Sequence, residues 1–375
     1  MDTSGAGTLI ARLYEVNWLL FALVYIVGAI GVAMILAATD GNWGAGALQH
    51  LSRLLVGGGA MLFVALINIR FWYFLAYPIY LFALLLLGVV DFYGVEVNGS
   101  TRWLDFGVMR IQPSELMKLA IVLALARYYH DLPNWRVSRA SGLAGAFLII
   151  GLPMQFIFRQ PDLGTTILLV ATGFSIIFLA GINWRVILGG IVTAAIAIPV
   201  FYRYGLKDYQ RDRINTLWQP ESDPLGASYH ITQSKIALGS GGISGKGYMQ
   251  GTQRSGEYVP ENTTDFIFTV IGEEFGLIGG VGTILIYSVL IGFCIYLSLQ
   301  VKQLFSRLLI LGVTITFTLY VFINIAMVTG LIPVVGVPLP LISYGGTVIL
   351  TVMLGFGLIL SAHLFHEVEL PRGYI

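Results

Sequence analysis

The stretch FIFTVIGEEFGLIGGVGTILIYSVLIGFCIYLS, residues 266–298, decides the fold class of this protein. Its apolar character continues well past the roughly 20 residues that an α-helix needs to cross the hydrocarbon core of a bilayer. Only Glu273 and Glu274 place charge inside the run. Charged side chains within spans are rare and usually face a cavity or each other. We therefore expect these carboxylates to line a polar cavity or to make hydrogen bonds that hold the structure together.

The rest of the chain has the same character. Its 375 residues are 57% hydrophobic and 11% charged, whereas a soluble domain is about 25% charged, and its mean hydropathy is +0.81. No stretch before residue 17 resembles a cleavable signal peptide, so the first span is expected to remain as an anchor. We predict an all-α, polytopic membrane protein forming a single domain over residues 1–375. About ten spans are expected, at residues 17–38, 54–70, 72–90, 114–129, 141–158, 163–182, 184–204, 266–298, 307–331 and 344–365.

The basic residues predict how these spans are oriented, because cytoplasmic loops are enriched in Lys and Arg. If the spans alternate in direction, the basic segments share one side with both termini, which are therefore expected in the cytoplasm. These segments are Arg70, 127–139, Arg185, 302–307 and Arg372. The extracytoplasmic side receives most of the polar segments, including a long loop over residues 205–264 between spans 7 and 8. A chemical site is therefore expected to face outward.

Several classes of site are disfavoured. A net charge of +1 predicts no nucleic-acid partner, because such binding needs a basic surface. Cys294 is the only cysteine, so neither a disulfide framework nor a cysteine metal site is available. His363 and His366 have helical spacing but no third ligand nearby, which disfavours a metal site. The run GSGGISGKG, residues 239–247, departs from the phosphate-binding loop motif at Ser240 and Gly247.

Charged residues in the outward segments have two interpretations each. Glu115 and Lys118 are three residues apart, so they can pair on one helix face; such a pair either serves function or is a structural ion pair. Asp162 and Asp265 stand at predicted span starts, where an Asp commonly caps the helix. Asp265 could instead accept a proton from a substrate hydroxyl in an outer cavity.

Two further segments complete the expected site. The segment with Arg102, Trp103 and Arg110 is expected to form a hairpin at the membrane interface, where its two cations could bind phosphate. The stretch MVTGLIPVVGVPLPLISYGG, residues 327–346, has a broken backbone that is tolerated at membrane depth only when it is buried in protein or lines a cavity. Together with Ser343 and Tyr344, it is expected to form one wall of the site.

Six motifs resemble, in order and spacing, those of the RodA branch of the SEDS family of shape, elongation, division and sporulation proteins. The resemblance extends from about residue 17 to residue 366. The motifs are RWLDFGVMRIQPSELMK (102–118), RQPDLGTT (159–166), DYQRDRI (208–214), PESDPLGASYHITQSKIALGSGGISGKG (220–247), PENTTDFIFTVIGEEFG (260–276) and IPVVGVPLPLISYGG (332–346).

This resemblance implies a ten-span glycosyltransferase that polymerises lipid II into peptidoglycan strands during cell elongation. It would act on the outer face of the bacterial cytoplasmic (inner) membrane, beside a class B penicillin-binding protein that cross-links the strands. Matched position by position, the family's catalytic carboxylate falls on Asp265 and its buried charge pair on Glu115 and Lys118. The acid of its QPDLGT motif falls on Asp162.

In this interpretation Asp265 is the general base, and cations neutralise the pyrophosphate leaving group. A divalent metal, Mg²⁺ or Mn²⁺, could assist them, and no organic cofactor is expected. We assign Ser343 to the substrate-binding wall, with Glu115 and Asp162. The candidate cations are Arg102, Arg110, Lys118, Arg213, Lys235 and Lys246.

Three alternatives remain at this point. A transporter that flips the same lipid also has broken helices and intramembrane charges, but it should present charge to both faces of the membrane. A scaffold for cross-linking enzymes would leave Asp265, Lys118 and Arg102 without a reason to lie together. An O-antigen-type ligase is chemically close and is disfavoured by the motifs.

Overall fold

The computed structural model describes residues 5–97, 100–105, 107, 110–160, 162–206, 211, 215, 227–251 and 263–373. Within these residues the chain forms twelve α-helices. They are α1 (Gly5–Glu15), α2 (Trp18–Ala38), α3 (Ala47–Leu66), α4 (Ile69–Tyr93), α5 (Pro113–Asp131), α6 (Ala140–Arg159), α7 (Leu163–Leu179), α8 (Trp184–Tyr204), α9 (Ala227–Ser240), α10 (Ile267–Gln300), α11 (Leu304–Val328) and α12 (Gly346–Leu364).

Short elements complete the described structure. Strands β1 (Val95–Val97), β2 (Ser100–Asp105) and β3 (Arg110–Ile111) form an antiparallel sheet in the order β1-β2-β3. Two 3-10 turns, Trp43–Ala45 and Asn134–Arg136, precede α3 and α6.

The all-α, polytopic prediction is confirmed. Ten of the helices overlap the ten predicted spans, although α3 begins at Ala47 rather than at residue 54. Its first turns carry polar side chains, such as the fully buried His50, that a hydropathy criterion excludes. Eight helices among the described residues are long and apolar enough to cross a membrane. The other two candidates are α5, which carries four charged residues, and α7, which has 17 residues, so the exact number of spans stays a prediction.

The centre of the bundle is formed by α5, α11 and α12. Helix α5 is buried along almost its whole length despite its charges, because it packs against α4, α7 and α11. Helix α12 packs along α3. Helix α8 lies at the periphery, since all of its described side chains are exposed or half-buried, and Phe201 contacts Phe158 of α6 at 5.6 Å between ring centroids.

Helix α10 is interrupted at Gly276, and the glycine-rich segment 242–247 hydrogen-bonds to the backbone around this interruption. Gly276 has φ 64° and ψ −155° inside the helix, a conformation that glycine adopts without a steric penalty. Residues 242–247 run past the break and exchange backbone hydrogen bonds with residues 273–278. Lys246 N donates to Glu273 O at 3.0 Å, and Leu277 N donates to Gly242 O at 2.9 Å. The run GSGGISGKG therefore satisfies the backbone of a broken helix.

The segments predicted to share a side of the membrane lie at the same end of the bundle. At the basic end, the C-terminal tail is tied down where Gly373 N donates to Asp131 Oδ1 at 3.1 Å. Tyr73 OH donates to the same carboxylate at 2.6 Å. At the opposite end, the β-hairpin, the start of α7 and the segment before α12 surround a cavity. The predicted loop over residues 205–264 contains α9, packed against α10.

Candidate active site

A polar cavity of about 500 Å³ lies at the end of the bundle opposite the basic connections and the C-terminal tail. Its volume is typical of a small-molecule site. Its wall comes from the hairpin, the first turns of α5, α7 and α12, the turn before α10, the loop after α11, and Tyr320 of α11. The lining residues are Arg102, Trp103, Gln112, Glu115, Lys118, Asp162, Thr165, Thr263, Thr264, Asp265, Tyr320, Val335, Gly336, Val337, Pro338, Tyr344, Gly345, Gly346, Thr347 and Val348.

Asp265 lies half-buried in this wall. The N-cap position of α10 is occupied by Phe266, so Asp265 stands one residue outside the position where a helix cap is expected. Its carboxylate faces the loop on the other side, because a Cβ placed on Gly336 would stand 3.4 Å from Asp265 Oδ2. Asp265 therefore lies in the cavity wall, where a general base has to be in order to reach a ligand.

Buried hydrogen bonds fix the backbone around Asp265. The fully buried Asn324 of α11 donates from Nδ2 to Asp265 O and to Val337 O, both at 2.7 Å. Ser343 Oγ donates to Thr264 O at 2.6 Å, and Tyr344 N donates to Thr263 O at 2.8 Å. One amide side chain thus joins the segment before α10 to the loop after α11, and both segments line the cavity.

Asp162 combines both interpretations that its sequence position allowed. It caps α7, since Oδ1 accepts from Thr165 N at 3.0 Å and Oδ2 accepts from Thr165 Oγ1 at 2.9 Å. It also lines the cavity, where Arg102 Nη1 lies 3.3 Å from Oδ2. Gln112 Nε2 donates to the same oxygen at 3.4 Å. Asp162 therefore holds Arg102 in place at the cavity wall.

Glu115 and Lys118 form a buried ion pair on the cavity floor. Their charged atoms are 2.6 Å apart, and the side chains are 5% and 2% exposed. The hydroxyl of Tyr320 donates to Glu115 Oε2 and accepts from Lys118 Nζ. A buried pair is stable only when further hydrogen bonds satisfy its charges, and Tyr320 supplies them.

The hairpin carries its own ion pair outside the cavity. Asp105 accepts from Gly107 N at 2.8 Å and from Arg110 Nε at 3.0 Å. The Gly107 hydrogen bond, with the Arg110 guanidinium, holds the pKa of Asp105 below its usual value. Arg110, which we predicted to bind substrate, is therefore engaged at the hairpin tip and does not line the cavity.

The other predicted residues are placed away from the cavity or outside the described residues. Lys246 pairs with Glu273 at 2.7 Å, which gives Glu273 the structural role that we expected for at least one of the two carboxylates in α10. Lys235 is exposed on α9 and packs against Gly330. Ser343 lies behind the wall, and Arg213 lies outside the described residues. Of the predicted cations, the structure brings Arg102 and Lys118 to the cavity.

Sequence reasoning missed several polar residues of the site. Gln112, Tyr320 and Thr347 line the cavity, and Asn324 supports it. Gln112 directly precedes the predicted start of α5, a signal that could have been used. Asn324 and Tyr320 are single polar residues in an apolar span, where a buried polar group needs a partner. This rule could have identified Asn324 and Tyr320 as candidate site residues, but it does not predict which groups they bond to.

A divalent cation held by the protein alone would need several carboxylate or histidine ligands close together. No group of three or more His, Cys, Asp or Glu side chains lies together in the described part of the chain. Glu115 and Asp162 are each held by a cation of the protein. The described residues therefore do not fit a protein-ligated metal site.

Comparison with known proteins places the chain in a family. The model of the FTSW_RODA_SPOVE family of cell cycle proteins matches residues 12–367. The chain is a member of this family. Together with the relatives and solved structures described next, this match confirms the resemblance to the RodA branch of the SEDS family.

Relatives of this chain include a peptidoglycan glycosyltransferase and a sporulation protein. It is 40% identical to the peptidoglycan glycosyltransferase MrdB of Escherichia coli K12 over 315 residues, which is 84% of this chain and 85% of the relative. It is 34% identical to the stage V sporulation protein E of Bacillus subtilis over 319 residues, 82% of this chain and 84% of the relative.

Solved structures have the same fold. A chain from a peptidoglycan synthase complex that coordinates polymerization and crosslinking has a TM-score of 0.81 and 30% identity, covering 93% of this chain and 97% of the other. The rod shape determining protein RodA of Thermus thermophilus has a TM-score of 0.72 and 27% identity, covering 94% and 98%.

Proposed function

We propose that this protein is a peptidoglycan glycosyltransferase that polymerises lipid II during cell elongation. The observation that carries the proposal is the single cavity lined by Asp265, Arg102 and Asp162, at one end of a membrane bundle. The peptidoglycan glycosyltransferase MrdB, 40% identical over most of both chains, supports it.

The chemistry needs one base and a neutralised leaving group. The 4-hydroxyl of one lipid-linked disaccharide attacks the anomeric carbon of another, and its proton passes to Asp265. A new C–O bond forms, the bond from the anomeric carbon to the pyrophosphate oxygen breaks, and its electron pair leaves with the polyprenyl pyrophosphate. Direct attack inverts the anomeric centre. A general base of this kind typically contributes a factor of about 10²–10⁴ in rate.

Charge on the departing pyrophosphate is stabilised by fixed cations and donors. Arg102 is suited to this role because Asp162, which also accepts from Gln112, holds it at the cavity wall while 28% of its side chain stays exposed. Lys118 lines the same cavity and contributes positive electrostatic potential to it. Its ammonium is held in place by Glu115 and Tyr320. The lipid tails remain in the bilayer, so the cavity must admit substrate sideways between helices.

In this proposal a divalent cation, Mg²⁺ or Mn²⁺, would enter only as a counterion bound to the pyrophosphate of the substrate. Mg²⁺ is commonly bound through one or two carboxylates and substrate phosphates, and it would neutralise phosphate charge. No step of the transfer described above depends on it, and the transfer requires no organic cofactor.

The proposed location is the bacterial cytoplasmic membrane, with the cavity on the extracytoplasmic side and both termini in the cytoplasm. The excess of Lys and Arg at the opposite end of the bundle supports this orientation. A class B penicillin-binding protein is the proposed partner, and the fold shared with a chain of a peptidoglycan synthase complex supports it.

The test is glycan-strand formation from purified lipid II by the protein co-purified with its cognate transpeptidase. We expect Asp265→Asn to retain partner binding and thermal stability but to lose polymerisation by at least about 10²-fold, because it lacks the base. Asp105→Asn is the matched control, since this carboxylate lies at the hairpin tip outside the cavity, and it should polymerise like the wild type.

Equal polymer from wild type and Asp265→Asn would remove Asp265 from the chemistry. A wild type that makes no polymer with its partner, yet moves lipid II across vesicles, would favour the transporter. The Asp162→Asn variant tests whether Asp162 has a structural role. We expect lower thermal stability, because the cap of α7 and the ion pair that holds Arg102 are both weakened.

A further inference from the structure

Thr347, on the first turn of α12, is a polar group of the cavity that the proposed chemistry leaves without a role. It lines the cavity and is 7% exposed. Its Oγ1 is buried and has no hydrogen-bond partner within the described part of the chain. A buried hydroxyl without a partner is unfavourable, so a ligand that offers an acceptor would bind there.

The position of Thr347 in its helix explains why this hydroxyl has no partner. Threonines in the middle of α11 donate to the carbonyl four residues before them, as Thr314 does to Ile310 and Thr316 does to Gly312, at 2.7 and 2.8 Å. Thr347 is the second residue of α12, so no complete helical turn precedes it. Its hydroxyl is therefore left for a group outside the helix.

Backbone amides point to the same kind of ligand. The first N–H groups of an α-helix have no acceptor within the helix and carry partial positive charge. In α12, which has 19 residues, the N-cap is Gly345 and the first turn contains no acidic residue. Gly345 and Gly346 both line the cavity and have no side chain to cover these amides. Such a helix start binds phosphate readily.

Arg53 of α3 adds a full positive charge behind this turn. Its guanidinium lies 4.6 Å from the ring centroid of Tyr344, and Nη2 donates to Tyr344 OH at 3.3 Å. A Cβ placed on Gly346 would stand 3.4 Å from Arg53 Cζ. A second guanidinium nitrogen of Arg53, Nη1, is buried without a hydrogen-bond partner among the described residues. Two of the three carboxylates that line the cavity, Glu115 and Asp162, are paired with other cations, and the third is Asp265.

We propose that the first turn of α12, with Thr347 and Arg53, is a binding subsite for a phosphate of a polyprenyl diphosphate. The inference rests on the proposed function, because it assigns this subsite to the leaving group of that reaction. The subsite is coupled to the base, since Tyr344 N donates to Thr263 O two residues before Asp265. A phosphate held there would lie in the same cavity as Asp265.

Binding can be measured without turnover. The full-length protein in nanodiscs of phosphatidylcholine would be titrated with inorganic pyrophosphate and with geranyl diphosphate. We expect Thr347→Val to weaken binding of both about tenfold, which is typical of losing one hydrogen bond to a charged group. Arg53→Gln should weaken it at least as much, and Arg53→Lys should recover part of the loss. Thr351→Val, one turn further along α12 and outside this cavity, should bind like the wild type.

The outcomes separate this inference from the proposed function. Wild-type affinity in both Thr347→Val and Arg53→Gln, with thermal stability unchanged, would overturn the subsite. Nanodiscs of phosphatidylglycerol that abolish diphosphate binding would show that a membrane head group occupies the turn, which also contradicts the assignment. Diphosphate binding that persists in Asp265→Asn, while polymerisation is lost, supports the subsite and the base together. Absence of polymerisation in the wild type with intact, Thr347-dependent diphosphate binding would contradict the proposed function but not the subsite.

Discussion

The buried pair of Glu115 and Lys118 shows how strongly a single residue depends on its neighbours in this bundle. Each charge is shielded from water, and Tyr320 bonds to both. Removing two charges from water is costly, and the cost is recovered only while the pair and its hydrogen bonds are complete. Loss of one partner leaves the other charge buried and uncompensated.

We therefore expect Glu115→Gln to lower stability by roughly 3–5 kcal/mol, as breaking a buried pair does. Thermal unfolding in detergent would measure it. The double variant Glu115→Leu with Lys118→Met should recover most of that stability, because replacing both charges by apolar groups is often neutral. If the pair shapes the site, the stable double variant makes no polymer; polymerisation at the wild-type rate would assign the pair to structure alone.

At the scale of elements, the break in α10 positions the start of that helix next to the cavity. The segment 242–247 replaces the backbone partners that the break removes. Gly276 is the residue on which this arrangement depends, because a Cβ there would collide with the backbone of Gly245 and Ile243. The outer loop and the helix behind Asp265 are thereby joined into one unit.

Gly276→Ala should therefore destabilise the protein by about 1–3 kcal/mol, the usual cost of a residue held in a sparsely populated backbone conformation. The matched control is Gly282→Ala in the same helix, where the added Cβ meets nothing within 4 Å. That change should be neutral or stabilising by roughly 0.5–1 kcal/mol. Similar thermal midpoints for the two variants would show that the break is not required.

At the scale of the whole molecule, the two ends of the bundle differ in chemistry. One end holds the cavity, and the other holds the basic connections and the C-terminal tail, where Arg70 Nε donates to Glu369 O at 3.2 Å. The positive-inside rule then predicts that the cavity end faces away from the cytoplasm. With that orientation, the cavity can receive a lipid-linked substrate from the outer leaflet.

Cysteine labelling in spheroplasts tests it. Ser244→Cys lies exposed in the segment beside α10, and Ala140→Cys lies exposed at the start of α6. The native Cys294 is buried and should stay unlabelled. A membrane-impermeant maleimide should label Ser244→Cys at once and Ala140→Cys only after the membrane is opened. The reverse pattern would invert the proposed topology.

Much of the fold could be predicted from the sequence because hydropathy is a local property. The ten predicted ranges overlap ten helices, and the errors lie at their ends. At α3, for example, His50 is buried and Arg53 half-buried through contacts with the segment before α12. The membrane class, the helical architecture and the grouping of polar segments at one end all follow from residue order alone.

The composition of the site was predicted only in part. Asp265, Asp162, Glu115, Lys118 and Arg102 meet at the cavity. By contrast, Lys246 is bound to Glu273 and Arg110 to Asp105, because a cation pairs with whichever carboxylate the fold brings near it. Charge and spacing identify candidate groups but do not identify their partners.

The sequence by itself determined that this chain is a membrane-embedded helical protein, with a candidate catalytic carboxylate at the start of one span. Only the tertiary structure decided which side chains share the cavity. It also decided that Asn324 hydrogen-bonds to both Asp265 and Val337, and that the first turn of α12 lies beside Arg53. The reason is physical. Helix formation and membrane insertion depend on residues close together in the chain, whereas a site depends on contacts between residues far apart in it.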